Sequence, residues 1–173
     1  MRRTLMTKFF ICGLLFAILA LVAHSVSAAI DGITLKQNPQ ALINDQRLIG
    51  NVPAQAKREG VIVDVPQLFI YYGDTSPAYH LAGFRPTLAR ELDIIVNARR
   101  MERSMVSLER LLERAQQPDG SVVSISDLPE ADLYVVQYER SGCETCSEVQ
   151  QAIEAWLDGR PDTAFGITIS LDK

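Results

Sequence analysis

The stretch Leu133–Leu171, LYVVQYERSGCETCSEVQQAIEAWLDGRPDTAFGITISL, decides the fold. Leu133–Tyr138 is an apolar, β-prone run, and Ser141-Gly142 breaks it. From Ser147 onward the apolar residues Val149, Ile153, Trp156 and Leu157 fall at helical spacing. Phe165–Leu171 (FGITISL) is again β-prone. Strand, helix, strand predicts a βαβ unit with parallel strands and a short but adequate crossover, and hence an α/β fold. Trp156 belongs to the helix face that packs on the sheet.

Cys143 and Cys146 fall between the strand and the helix. At a helix N-terminus, unpaired N–H groups and the positive end of the dipole favour a thiolate. A thiolate attacks disulfides or binds soft metals, so this position can carry chemistry. The chain has 3 cysteines; the third, Cys12, lies in a leader-like segment.

Residues 1–28 have the pattern of a cleaved secretory signal peptide. Arg2, Arg3 and Lys8 give a positive start, Phe9–Ala23 is apolar, and Val26-Ser27-Ala28 suits cleavage. The apolar run is shorter than the ~20 residues a spanning helix needs, so no stable membrane insertion is expected after cleavage. Export, to a bacterial periplasm, is expected. Losing the leader removes three cations, so Lys+Arg falls from 17 to 14 against 21 Asp+Glu, a net charge of −7. Such an acidic chain without a basic block is a poor candidate for nucleic acid or anionic membranes. The remaining length suits one domain with a real core.

Upstream, residues 29–60 read as a partly helical N-terminal extension, with helical turns expected in Pro39–Ile49 and Pro53–Glu59. The domain proper is expected over 61–173. Val61–Val65 and Leu68–Tyr72 are β-prone, and Pro66 simplest marks the start of a strand Gln67–Tyr72. Gly73–Pro77 supplies turn residues and Tyr79–Phe84 a return strand. From Pro86 to about Gln117 two apolar stripes, out of phase, predict two helices or one with a rotating buried face. The second stripe, Met101, Met105, Leu108, Leu112 and Ala115, is core packing or a homodimer seam. A short strand Ser121–Ile125 is also expected.

Leu133–Lys173 resembles the redox half of the thioredoxin superfamily: strand, loop, C-x-x-C, helix, parallel strand. Gly142 stands where that family often has an aromatic residue, and Glu144-Thr145 separates the cysteines. The run Val65–Tyr71 (VPQLFIY), the turn Gly73-Asp74, Tyr79–Phe84 and the helix from Pro86 resemble that family's second half. The resemblance implies a mixed sheet flanked by helices, with the halves in permuted order and a helical connection around 101–117. It also implies that Val65 and Pro66, across a cis bond, dock substrate beside the sulfurs, and that no cofactor or metal is needed.

Three uses of the cysteine pair stand side by side. In thiol–disulfide exchange with protein thiols and disulfides, Cys143 attacks and Cys146 resolves. Arg140 and Glu144 would tune Cys143 in opposite directions. The G-C-x-x-C segment is also similar to the opening of heavy-metal-associated copper carriers, although Arg140-Ser141-Gly142 replaces their usual methionine-containing lead. The third use is a structural disulfide in an interaction module of a cell-envelope assembly. His80 is expected on a strand surface, and Asp127, Glu130 and Asp132 in a solvated acidic loop.

Overall fold

The computed structural model describes residues 30–41, 44, 61, 64–103 and 105–172. The leader, the turns expected in 53–59 and most of 39–49 lie outside the described residues. Six strands, β1 (Gly32–Gln37), β2 (Gln67–Tyr72), β3 (Pro77–Ala82), β4 (Ala115–Gln116), β5 (Leu133–Glu139) and β6 (Ala164–Ser170), form one sheet. Its order is β3-β2-β5-β6-β1-β4. The β5/β6 and β6/β1 pairs are parallel, whereas β2 runs antiparallel to β3 and β5, and β4 antiparallel to β1. With α1 (Leu88–Asn97), α2 (Leu108–Leu112) and α3 (Glu144–Leu157), this is an α/β fold with a mixed sheet flanked by helices.

The run of β5, apolar but for Gln137, is what a strand covered on both faces requires, and Leu133 through Tyr138 are all buried. On one face, Leu68, Ile70, Leu133 and Val135 pack beneath Leu88 and Leu92 of α1 and Val149, Ile153 and Trp156 of α3. On the other, Phe69, Tyr71, Val136, Tyr138, Leu35 and Ile167 pack against Leu108, Leu111 and Leu112 of α2. The α1–α3 layer is locked by polar contacts. Trp156 Nε1 donates to Asp93 at 2.8 Å, and Arg160 lies over the Trp156 ring while pairing with Asp93 and Asp162.

Three expectations change. The segment set aside as an extension contributes β1 to the same sheet, paired along its length with β6. The helical connection around 101–117 is mostly not helix. After α1 the chain turns through Arg99 (φ 45°), and Ser107 caps the five-residue α2 by accepting from the Arg110 amide at 3.3 Å. Met101 is 56% exposed outside any helix, whereas Leu108, Leu112 and Ala115 are buried. Those three are taken up by the core and form no open dimer seam. Finally, the strand expected at Ser121–Ile125 is extended chain leading into a short 3-10 turn, Ile125–Asp127, capped by Ser124.

Candidate functional site

The site is built at the end of β5. Beyond Glu139 the chain makes a turn in which the Cys143 amide donates to the Arg140 carbonyl, 3.1 Å. Gly142 sits at φ 79°, a conformation that favours glycine. Cys143 caps α3 with extended backbone and is bonded to Cys146 in a disulfide, their Cα atoms 5.4 Å apart. Cys143 is half-buried, with Thr145 Oγ1 3.7 Å from its sulfur; Cys146 is 5% exposed. One sulfur therefore lies at the surface and the other behind it.

Two side chains hold this loop. From inside, the Gln137 Nε2 donates to the Cys146 carbonyl at 3.0 Å. Gln137 is the one buried polar side chain among the described residues. From outside, Asp172 accepts from the Ser141 amide at 3.0 Å and from its hydroxyl at 2.6 Å. The Ser141 bonds hold the Asp172 carboxyl below the usual carboxylate range, and the charge of Arg140 adds to the effect. Neither holder was foreseen. Gln137 did leave a trace, as the one polar residue inside the apolar run of β5.

Pro66 stands immediately before β2. The register Gln67↔Tyr138 carries it to the end of the sheet where β5 delivers the cysteines. The Val65–Pro66 peptide bond is cis, Pro66 is buried, and its carbonyl accepts from the Gly83 amide at 2.9 Å. Val65 packs against the core on the α2 side. The disulfide and Val65–Pro66 thus share one end of the sheet, on adjacent strands. Arg140 and Glu144 are both exposed and flank Cys143. Glu144 lies in the first turn of α3, where the helix dipole welcomes a negative charge.

The other candidates are structural. His80 is exposed, stacked on Phe69 with ring centroids 4.4 Å apart, and bonded through Nε2 to Gln67 at 2.7 Å. Asp127 caps the 3-10 turn, and Asp132 accepts from the Thr163 amide and hydroxyl, each at 2.8 Å. Burial raises the Tyr71 and Tyr138 phenols, which keeps both neutral. Among the described residues no three His, Cys, Asp or Glu side chains gather in a metal-holding group. No helix among them is long and apolar enough to cross a membrane.

Fold and site together define an α/β protein with a helix-capping C-x-x-C disulfide at one end of its sheet. Comparison of the chain with protein-family models, curated proteins and solved structures gives no match.

Proposed function

We propose that this chain is an exported thiol–disulfide oxidoreductase that acts on protein partners, built on a thioredoxin-like domain with its halves in permuted order. One observation carries it. A disulfide with an outer sulfur at a helix N-terminus and a buried inner sulfur shares the sheet end with the Val65–Pro66 peptide. The order β6-β5-β2-β3 supports it further, since the βαβ unit and the ββα unit adjoin through β5 and β2 although the chain meets them in reverse. A ring closed over so few residues constrains the unfolded chain little, which suits exchange better than stapling.

In the reducing direction the Cys143 thiolate attacks a partner disulfide. A mixed disulfide forms, and one partner sulfur leaves as thiolate and takes up a proton. Cys146 gives up its proton and attacks the Cys143 sulfur, closing the ring and releasing the second partner thiol. The partner gains two electrons and two protons, and Cys143–Cys146 loses them. Val65 and Pro66 shape the surface on which the partner lies. Glu144 beside Cys143 opposes thiolate formation, while Arg140 promotes it. With Glu144 next to it in the chain, we take Cys143 to be less acidic than in strong oxidants, favouring a reductase or a disulfide carrier. An alkylation titration of Cys143 giving an apparent pKa below about 5 would contradict that assignment.

The test is insulin reduction with dithiothreitol as electron source. Wild type is expected to turn over many equivalents, and Cys143→Ser none above background. Equal rates for the two would leave a structural disulfide in an interaction module as the surviving alternative.

A further inference from the structure

A pocket of about 210 Å³ lies beside α3, over the part of the sheet formed by β6 and β1. Its floor exists because two strands meet through glycine. Gly32 and Gly166 are register partners, and a Cβ on Gly32 would be driven into the Gly166 carbonyl. Beyond them Thr34 and Thr168 offer hydroxyls, and Gln137 stands beneath the helix. The opposite wall is Gln150 and Glu154, joined by a 3.0 Å bond from Gln150 Nε2 to Glu154 Oε1.

The polar lining is weighted towards acceptors. Gln137 is 8% exposed and spends its Nε2 on the Cys146 carbonyl. Its Oε1 makes no hydrogen bond among the described residues. Because no buried side-chain oxygen is left without a partner there, this oxygen opens into the pocket. In Gln150 too the bonded end is the donor, which leaves its amide oxygen as acceptor. Glu154 adds a half-buried carboxylate, the one charged group of the lining among the described residues. Lys36, the cation on β1, stands beyond the lining, beside Ser170. Ile30 and Ile153 give the pocket apolar sides.

We propose that this pocket binds an alkylguanidinium group, held by Glu154 and the amide oxygens of Gln137 and Gln150, with its aliphatic stem between Ile30 and Ile153. A carboxylate beside two amide oxygens, with threonine hydroxyls that can accept as well, suits a cationic donor. Guanidinium presents five N–H donors in one plane and is more weakly hydrated than ammonium, so it loses less on entering a half-enclosed site. Because Gln137 also holds the Cys146 carbonyl, the occupant lies one side chain away from the disulfide. The binding itself is independent of any redox activity.

The test is a titration of the purified oxidised protein, followed by ¹H–¹⁵N chemical shifts. The probes are ethylguanidinium, ethylammonium and the capped tripeptide Gly-Arg-Gly. Ethylguanidinium is expected to give saturable shifts centred on the Gln137 side-chain amide and the Thr34 and Thr168 amides, and to bind several-fold tighter than ethylammonium. Glu154→Gln, a change at a half-exposed position that folding tolerates, is expected to weaken it about tenfold or more. Tripeptide binding of similar strength assigns the natural source to an arginine side chain of a partner; exclusion of the tripeptide assigns it to a free small molecule. Linear, non-saturable shifts, or shifts unchanged in Glu154→Gln, overturn the proposal. So does ethylammonium binding as tightly as ethylguanidinium.

Discussion

Ser141 and Asp172 are far apart in the chain and meet through three hydrogen bonds that fix the approach to Cys143. Those bonds depress the Asp172 carboxyl, and the sign of the consequence follows. A carboxylate whose folded pKa lies below its unfolded value contributes fully above that unfolded value, near 3.9, and loses the contribution as pH falls through the folded value. The Ser141 amide shift is therefore expected to stay constant from pH 7 to about pH 5 and to titrate below about pH 4. Asp172→Asn should abolish the titration, and a flat wild-type profile into strong acid would refute the pinning role. At this scale the cysteines were legible because spacing and a helix start are local signals. Asp172 was not, since nothing near residue 172 announces a partner on another loop. Gln137 was half legible: a polar residue in a buried strand needs a partner, but the sequence does not say which carbonyl.

The junction between α1 and α3 rests on Trp156, Arg160 and Asp93. Arg160 is largely buried, at 16% side-chain exposure, and ties the two helices by stacking on Trp156 and pairing with Asp93, while Asp162 of its own loop pairs with it as well. Arg160→Ala is expected to lower urea-unfolding stability by about 1–3 kcal/mol, combining the lost cation–π contact with a broken network. A change within about 0.5 kcal/mol, typical of surface substitutions, would show that the junction adds nothing. β1 tests a second point at this scale. Leu35 is fully buried in the α2-side core, so Leu35→Ala should cost about 2–5 kcal/mol. A disposable extension would show almost no loss. The strand escaped the sequence because GITLKQ buries only one residue fully and its pairing partner β6 lies at the other end of the chain. The helix α1 and strands β2, β5 and β6 were legible, since each carries a sustained period or apolar run. The stripe from Met101 to Ala115 misled because its helical spacing continued across Ser107, which starts a new helix, while Met101 lies outside any helix.

Across the whole molecule, a βαβ unit and a ββα unit meet through the antiparallel β5/β2 pair. That pairing sets the outer cysteine and the Val65–Pro66 peptide at one end of the sheet. Parallel pairing of β5 with β6 was legible from the strand–helix–strand order. The adjacency of β2 and β5 is a contact between remote segments that no local pattern encodes, and only the family resemblance pointed to it. The division of labour between the sulfurs is the central claim. Its most direct measurement is the second-order rate at which each reduced single-cysteine variant opens an aromatic disulfide, followed by thiolate release in a stopped-flow instrument. Cys146→Ser, which keeps the outer Cys143, should react faster than free cysteine at pH 7 and hold the mixed disulfide. Cys143→Ser, which keeps the buried Cys146, should react at least about tenfold more slowly. A faster reaction at Cys146 than at Cys143, or a Cys143 rate no higher than that of free cysteine, would contradict exchange at this site.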